Sequence, residues 1–286
     1  CALPGTNKIV AVGDAGLIAL STDRGATWTF SYDAGMPFQG VQDFVDLGLN
    51  KVYAAGAGGA LLYFDQTAGT HKYGMASPNN WGPTSLGDLD YVINPKEALP
   101  GMTDSSFNDV IYLSASCKYL CKSYDYGKTW YELSHTNALQ DGYLSMYWFH
   151  PDTGFVVGHK LAGTSSRDEV IWKTVDGGAH LTEVVAGTLP GTTALQWNGL
   201  EFAPTNRNIG AVVGDDNYIF YTINGGANWS QATENIATAT LDLEDLVFLN
   251  PSVALAVGDG GTLVRSADGG ATWTVQAVPW GTANLF

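Results

Sequence analysis

The chain has 286 residues, a length that by itself does not separate one repeat domain from two ordinary ones. Hydrophobic residues make up 45%, and the 35 glycines and 14 tyrosines favour β-structure with many tight turns. There are 13 basic and 28 acidic residues, a formal net charge of -15, so nucleic acids and anionic membrane surfaces would be repelled. No stretch approaches the roughly 18 to 20 consecutive apolar residues that cross a bilayer, so no membrane span is expected.

An eight-residue segment, which we call the box, recurs along the chain. Its full copies share Ser, Asp, Gly and Trp at the first, third, fifth and eighth places, as in Ser21 to Trp28. The fourth copy has Leu181 in place of Trp, the fifth has Asn224 in place of Asp, and the second keeps only the spacing. The six boxes occupy residues 21–28, 64–71, 123–130, 174–181, 222–229 and 266–273.

Two further elements precede the boxes. A Gly-Asp pair stands eight residues upstream of three boxes, as in Gly13-Asp14, Gly214-Asp215 and Gly258-Asp259. Gly158 lies farther from its box, so residues 160–168 are predicted to be an insertion. Still further upstream is a short apolar stretch that often ends in proline, and each repeat therefore predicts four strands. The clearest of these apolar stretches are residues 89–95, 146–151, 200–204 and 246–251.

Four short strands in each repeat fit one antiparallel blade of a β-propeller. The sequence thus predicts an all-β fold with a single domain over residues 1–286, a six-bladed β-propeller of four-stranded antiparallel blades. The first repeat lacks a clear first strand, and we expect the tail, residues 282–286, to supply it and close the ring. Seven blades are the alternative.

The pattern Ser/Thr-x-Asp-x-Gly-x-x-Trp resembles the Asp-box, or BNR repeat, over nearly the whole chain. The resemblance implies a structural turn in which Asp and Ser bond backbone amides, Gly has a positive φ and Trp packs between blades. We therefore expect no catalytic role for the box aspartates. The residues with these structural roles are Ser21, Asp23, Gly25, Trp28, Ser123, Asp125, Gly127, Trp130, Asp176, Gly178, Asn224, Gly226, Trp229, Ser266, Asp268, Gly270 and Trp273.

The Gly-Asp-x-Gly element before an Asp-box is similar to the photosystem II assembly factor-like propellers. That resemblance implies a non-catalytic propeller outside the cytoplasm that binds a protein partner, as an accessory or assembly subunit. Those factors are seven-bladed and use an arginine patch, whereas here the four arginines lie in four different repeats. The architecture and the binding class therefore carry over, but no binding residue does. A carbohydrate-binding or glycoside-hydrolysing Asp-box propeller is the alternative.

The candidate binding face combines two kinds of residue. Asp14, Asp215 and Asp259 occupy matching hairpins away from the boxes, with His159 in the same register, although an Asp in a hairpin is commonly a turn device. Trp81 and Trp280 lie in Gly/Pro-rich connections and are expected to be exposed.

A glycosidase needs two carboxylates about 5 or 9 Å apart. Acids near the starts of first strands are candidates for an acidic ring that could hold calcium, with solvated strand ends as the alternative. Apart from this calcium, no metal or cofactor is expected. These acids are Asp43, Asp88, Asp90, Glu201 and Asp245.

The chain has three cysteines. Cys117 and Cys121 flank three residues that the repeat alignment places in a hairpin loop, so a disulfide is sterically allowed, with two reduced thiols as the alternative. Cys1 stands where a bacterial lipoprotein carries its lipid-modified cysteine. The alternative is that the boundary at Cys1 is arbitrary and has no functional significance. A lipid anchor at Cys1 would place the protein in the periplasm, in a lumen or on the cell surface.

Overall fold

The computed structural model describes most of the predicted strands. It covers residues 9–13, 17–32, 41–46, 51–56, 60–65, 70–75, 86–92, 110–115, 119–124, 129–133, 142–162, 166–184, 196–235 and 241–277. These residues form β-strands, turns and two short 3-10 turns, without an α-helix. None of the described residues lies in a helix long and apolar enough to cross a membrane. The chain divides into two compact units, residues 1–134 and 135–286.

Unit 1 contains three antiparallel sheets, in which neighbouring strands follow chain order. Sheet 1 has β1 (Ile9–Gly13), β2 (Leu17–Ser21) and β3 (Thr29–Tyr32). Sheet 2 has β4 (Val41–Asp46), β5 (Lys51–Gly56), β6 (Ala60–Asp65) and β7 (Thr70–Met75). Sheet 3 has β8 (Leu86–Val92), β9 (Val110–Ala115), β10 (Tyr119–Ser123) and β11 (Tyr131–Glu132).

Unit 2 also contains three sheets. Sheet 4 has β12 (Gly142–His150), β13 (Thr153–Ala162), β14 (Ser166–Thr174) and β15 (Thr182–Glu183). Sheet 5 has β16 (Trp197–Phe202), β17 (Gly210–Gly214), β18 (Ile219–Thr222) and β19 (Ser230–Gln231). Sheet 6 has β21 (Leu243–Phe248), β22 (Ala254–Gly258), β23 (Thr262–Ser266) and β24 (Thr272–Val275), and β20 (Thr233–Asn235) adds a fifth strand.

The predicted four-stranded antiparallel sheets are confirmed for sheets 2 to 5, and sheet 6 contains the same four strands. Each repeat predicted from the sequence corresponds to one sheet. The number of blades and the closure of the ring by residues 282–286 stay predictions, because that tail lies outside the described residues.

The core of unit 2 lies between neighbouring sheets. One cluster joins Phe155 of sheet 4 to Phe202 and Phe220 of sheet 5, and the ring centroids of Phe155 and Phe202 are 5.2 Å apart. A second cluster joins sheet 5 to sheet 6 around Trp273, which is 1% exposed. Because each sheet offers apolar side chains to the next one, the sheets bury their faces against one another.

The box turns share one set of hydrogen bonds. In the last box, Gly270 N donates to Ser266 Oγ over 2.9 Å and Thr272 N donates to Asp268 Oδ1 over 2.9 Å. Trp273 Nε1 donates to the Gly270 carbonyl over 2.8 Å, and Gly270 has a φ of +95°, where a side chain is disfavoured. Equivalent Ser or Thr and Asp or Asn bonds hold the boxes that begin at residues 21, 174 and 222.

Trp28 differs from the other described box tryptophans. It keeps the bond from its Nε1 to the Gly25 carbonyl, at 3.0 Å, but 37% of its surface is exposed. Residues 278–286 lie outside the described residues, so the packing of Trp28 between blades stays a prediction.

Two local features bear on the sequence-based expectations. The described residues of the insertion at 160–168 lengthen β13 and β14, which pair as far as Ala162 and Ser166. Cys121 is a buried free thiol in β10, opposite Leu113 in the strand register. Cys117 lies outside the described residues; of the two alternatives, the free Cys121 corresponds to reduced thiols.

Candidate binding surface

The Gly-Asp pairs of sheets 5 and 6 form matching turns between the second and third strands. In sheet 5, Tyr218 N donates to the Asp215 carbonyl over 3.1 Å, and Asp215 N donates to the Gln196 carbonyl over 2.9 Å. In sheet 6, Asp259 N donates to the Asp242 carbonyl over 2.9 Å in the same way. Each turn is thus tied to the residue just before the first strand of its own sheet.

The close approach of that carbonyl explains why glycine precedes the aspartate. A Cβ atom at Gly214 would lie 2.2 Å from the Gln196 carbonyl oxygen, and one at Gly258 would lie 2.0 Å from that of Asp242. Both distances are far below van der Waals contact. The glycine is therefore a packing requirement of the turn, whereas the aspartate enters the turn through its backbone groups.

A hydrogen-bond network connects the sheet 5 turn to sheet 6. Asn198 Nδ2 donates to Asp215 Oδ1 and to the Leu243 carbonyl, both at 3.0 Å. Gln196 Nε2 donates to Asn198 Oδ1 over 3.1 Å. Asp216 N donates to Asp242 Oδ1 over 3.1 Å. The two turns therefore lie side by side with their carboxylates close together.

Carboxylates around these turns act on one another through their charges, and we call Asp215, Asp242, Glu244 and Asp259 the acidic surface. Burial raises the pKa of Asp215, the hydrogen bond from Asn198 opposes that shift, and the charge of Asp242 adds to it. Burial also raises the pKa of Glu244, and the charges of Asp259, Asp242 and Asp215 raise it further. Among the described residues, every charge that shifts the pKa of Glu244 is thus negative, which favours a cationic partner.

Glu244 and Asn198 occupy the same position in neighbouring sheets. Each is the extra residue of a bulge, just after the residue that pairs with the turn glycine. In sheet 5 the Asn198 amide bonds the turn aspartate, whereas in sheet 6 a second carboxylate stands beside Asp259. The sequence-based reasoning identified Asp215 and Asp259 but missed Asp242 and Glu244, although the alignment of first strands contained that signal.

His159, which was also predicted for the binding face, is not brought to the acidic surface. His159 is 7% exposed in β13, opposite Glu169 of β14, so it offers little surface to a partner. Glu169 Oε2 accepts a hydrogen bond from Trp197 N over 3.3 Å, which ties sheet 4 to sheet 5. Asp14, Trp81 and Trp280 lie outside the described residues. Their places on the binding face stay predictions.

Two of the first-strand acids occupy matching positions. Asp43 and Asp245 each follow the bulge of β4 and β21, whereas Asp88 lies within the bulge of β8, two residues after Leu86, which pairs with Ala115. Asp245 is exposed, yet the surrounding protein desolvates its carboxylate and raises its pKa, while the bond from Leu246 N opposes that shift. In the described part of the chain, no group of three or more His, Cys, Asp or Glu side chains could hold a metal ion. A calcium ion stays a prediction.

Two tryptophans outside the boxes lie in the core. Trp148 is 5% exposed and Trp197 is 2% exposed. The Trp197 ring packs against Phe220, with centroids 5.5 Å apart. Neither ring presents a face on which a sugar could stack.

No protein-family model matches the chain, and no curated protein sequence matches it. Solved structures are similar in shape. The structure of YCF48 bound to D1 peptide has a TM-score of 0.63 and 14% identity, over 91% of this chain and 76% of that chain. YCF48 from Cyanidioschyzon merolae has a TM-score of 0.59 and 13% identity, over 96% and 86%. A GH74 enzyme from Niastella koreensis has a TM-score of 0.61 and 16% identity, over 93% and 44%.

The fold is that of a β-propeller. At sequence identities of 13 to 16%, the similarity to these structures shows the fold alone. A protein that binds a peptide and an enzyme are both among the similar structures, so the function must be argued from the surface of this chain.

Proposed function

We propose that the protein is a non-catalytic Asp-box propeller that acts outside the cytoplasm and binds a protein partner through its acidic surface. The partner presents a basic segment, and the propeller serves as an accessory or assembly subunit of a larger complex. The observation that carries the proposal is that the charges of Asp215, Asp242, Glu244 and Asp259 act on one another around two neighbouring turns. The likeness to YCF48, which is described as bound to D1 peptide, supports the same class of function.

The charges explain why a basic protein segment fits this surface. The carboxylates lie around two turns, and no basic side chain is among the charges that shift the pKa of Asp215 or of Glu244. Lys or Arg side chains of a partner would relieve this repulsion, because opposite charges within a few ångströms stabilise each other most where water is partly excluded. The net charge of -15 would also accelerate the encounter with a basic partner at low salt.

Glycoside hydrolysis is the second candidate, and one observation favours it. Burial and the charge of Asp259 raise the pKa of the Glu244 carboxyl group, and a raised pKa is what the general acid of a glycosidase needs. The likeness to a GH74 enzyme points the same way. The burial of Trp148 and Trp197 argues against it, because these rings are not available to stack on a sugar.

A single substitution tests the binding proposal. Glu244→Asn gives sheet 6 the arrangement that sheet 5 has with Asn198, so it removes one charge while keeping the turn. Asp152→Asn is the matched control, since Asp152 is an exposed acid near the box turn of sheet 4, at the other end of the strands. Wild-type and variant proteins, immobilised at equal density, are used to capture proteins from the native source, and the bound proteins are identified by mass spectrometry.

We expect the wild-type protein and Asp152→Asn to retain the same partner, and Glu244→Asn to retain at least tenfold less of it. The retained amount should fall as salt is raised, because exposed charges are screened. Equal recovery by both variants would overturn the role of the acidic surface. Retention of glycans without any protein, together with hydrolysis of a polysaccharide that Glu244→Gln abolishes, would replace the proposal with the glycosidase candidate.

A further inference from the structure

We propose that the outer edge of β24 is a peptide-binding site, which in this structure is filled by the chain's own segment Thr233–Asn235. An extended segment of a partner protein would bind there by adding a parallel strand to sheet 6. The site is separate from the acidic surface, so an experiment can refute the proposal for one of them without affecting the proposal for the other.

The arrangement at this edge differs from that of the other sheets. β20 pairs with β24 in a parallel register, with Thr233 opposite Thr272 and Asn235 opposite Thr274. All other strand pairs among the described residues are antiparallel and follow chain order. Ala232 N still donates to the Ile219 carbonyl of sheet 5, whereas the next residue, Thr233, donates its N–H to the Ala271 carbonyl of sheet 6. The chain therefore leaves one sheet and adds itself to the next within a single residue.

The β24 edge is a firmly held template. Trp273 is buried at its centre and bonds the Gly270 carbonyl, and Gln276 N donates to the Leu263 carbonyl over 2.8 Å. β24 has four residues, whereas the other last strands of unit 2, β15 and β19, have two each. Once β20 leaves this edge, β24 would present unpaired backbone groups, which readily accept another strand.

The occupant of the edge is weakly held by comparison. β20 has only three residues, and parallel pairing is slightly less stable per residue than antiparallel pairing. Thr233 is exposed, so burial of its side chain adds little to the docking. A partner segment that pairs along all four residues of β24 would form a longer ladder than β20 does. The chain's own segment thus shows the geometry of a ligand and can be replaced by a longer one.

The probe for this test is a fluorescent, end-blocked peptide with the sequence of residues 231–237, Gln-Ala-Thr-Glu-Asn-Ile-Ala. Thr233→Pro removes the N–H that donates to the Ala271 carbonyl and leaves the edge open, since an extended backbone before proline is allowed. Thr233→Ala is the matched control, because it keeps that N–H and changes only the side chain. Binding is measured by fluorescence anisotropy, and folding by circular dichroism and thermal unfolding.

A segment tethered by a short linker acts at an effective concentration of about 1 mM, so a peptide with a Kd of about 100 µM should bind Thr233→Pro roughly tenfold more tightly than wild type. Thr233→Ala should behave as wild type. A peptide with proline at the third position should not bind, because it lacks the donor. Equal binding of the probe to Thr233→Pro and Thr233→Ala would overturn the proposal.

Two other outcomes are decisive. Concentration-dependent dimerisation of Thr233→Pro without probe binding would show that the edge takes a second copy of the chain, which overturns the peptide assignment. If Thr233→Pro does not fold, Asn235→Pro replaces it, and if neither folds the probe is titrated to millimolar concentration against wild type. Absence of saturable probe binding to the wild-type protein at millimolar concentration would also overturn the proposal. Saturable probe binding that the proline-containing peptide does not inhibit would support it.

Discussion

Replacing Gly258 by alanine should destabilise the protein through a clash with its own backbone. The new Cβ would lie 2.0 Å from the Asp242 carbonyl oxygen and 2.9 Å from Leu243 Cα, and neither atom belongs to a side chain that could rotate away. The turn must move, which breaks the bond from Asp259 N to the Asp242 carbonyl. Overpacking costs about 1–3 kcal/mol, and a lost backbone hydrogen bond about 1 kcal/mol, so we expect a loss of roughly 2–4 kcal/mol.

Gly260 in the same turn provides the matched control. Its φ is +63°, but the nearest atom to an added Cβ is Leu241 Cδ2 at 3.5 Å, which is ordinary contact. The equivalent residue in sheet 5 is Asp216, at a φ of 52°, so a side chain is tolerated there. Gly260→Ala should therefore cost only about 1–2 kcal/mol, the penalty for the left-handed conformation. The measurement is equilibrium unfolding in guanidinium chloride. A Gly258→Ala variant that loses less than Gly260→Ala would refute the clash.

In the last box, Asp268→Ala should lower the free energy of unfolding by about 1 kcal/mol, because the bonds from Thr272 lose their acceptor. Asp268→Asn should cost less, since Asn224 accepts the same backbone bond in its own box, and denaturant unfolding of both variants is the check. Hydrogen bonds from His180 lower the pKa of Asp176 from 3.8 to about 2, so its stabilising contribution is present above pH 3.8 and is lost as the pH falls towards 2. Thermal unfolding between pH 5 and pH 2 should therefore depend less steeply on pH in Asp176→Asn than in wild type; equal slopes would contradict this. Burial and the charge of Glu132 raise the pKa of the Cys121 thiol, so in a Cys1→Ser/Cys117→Ser variant it should react with iodoacetamide only after unfolding, and fast labelling of the folded protein would contradict its burial.

The features that were predictable from the sequence depend on local hydrogen bonds. A box closes on itself within eight residues, as the bonds among Ser266, Asp268 and Gly270 show, so its residue pattern is sufficient to predict the turn. The same holds for the four-stranded repeat, because the strands follow one another in chain order. Even a substituted box could be placed, since Asn224 offers the same acceptor oxygen as an aspartate.

The features that could not be predicted depend on how neighbouring sheets pack. The bond from Asn198 Nδ2 to the Leu243 carbonyl joins residues far apart in the chain, and no periodic pattern indicates it. The parallel pairing of Thr233–Asn235 with β24 likewise arises only because sheets 5 and 6 lie next to each other. His159 shared a register with Asp215, but the lengthened β13 and β14 hairpin buries it, whereas a short turn leaves Asp215 at the rim.

A repeat protein offers its own internal comparison for separating structure from function. Sheets 5 and 6 build the same turn, and sheet 5 satisfies its aspartate with the Asn198 amide, so a carboxylate at that position is not needed for the fold. In sheet 6 the equivalent Glu244 instead adds a like charge beside Asp259, which costs folding stability. Local rules are broken mainly where function requires it. A binding partner should therefore be sought at the position of Glu244, where the two sheets differ, and not at the boxes, where they agree.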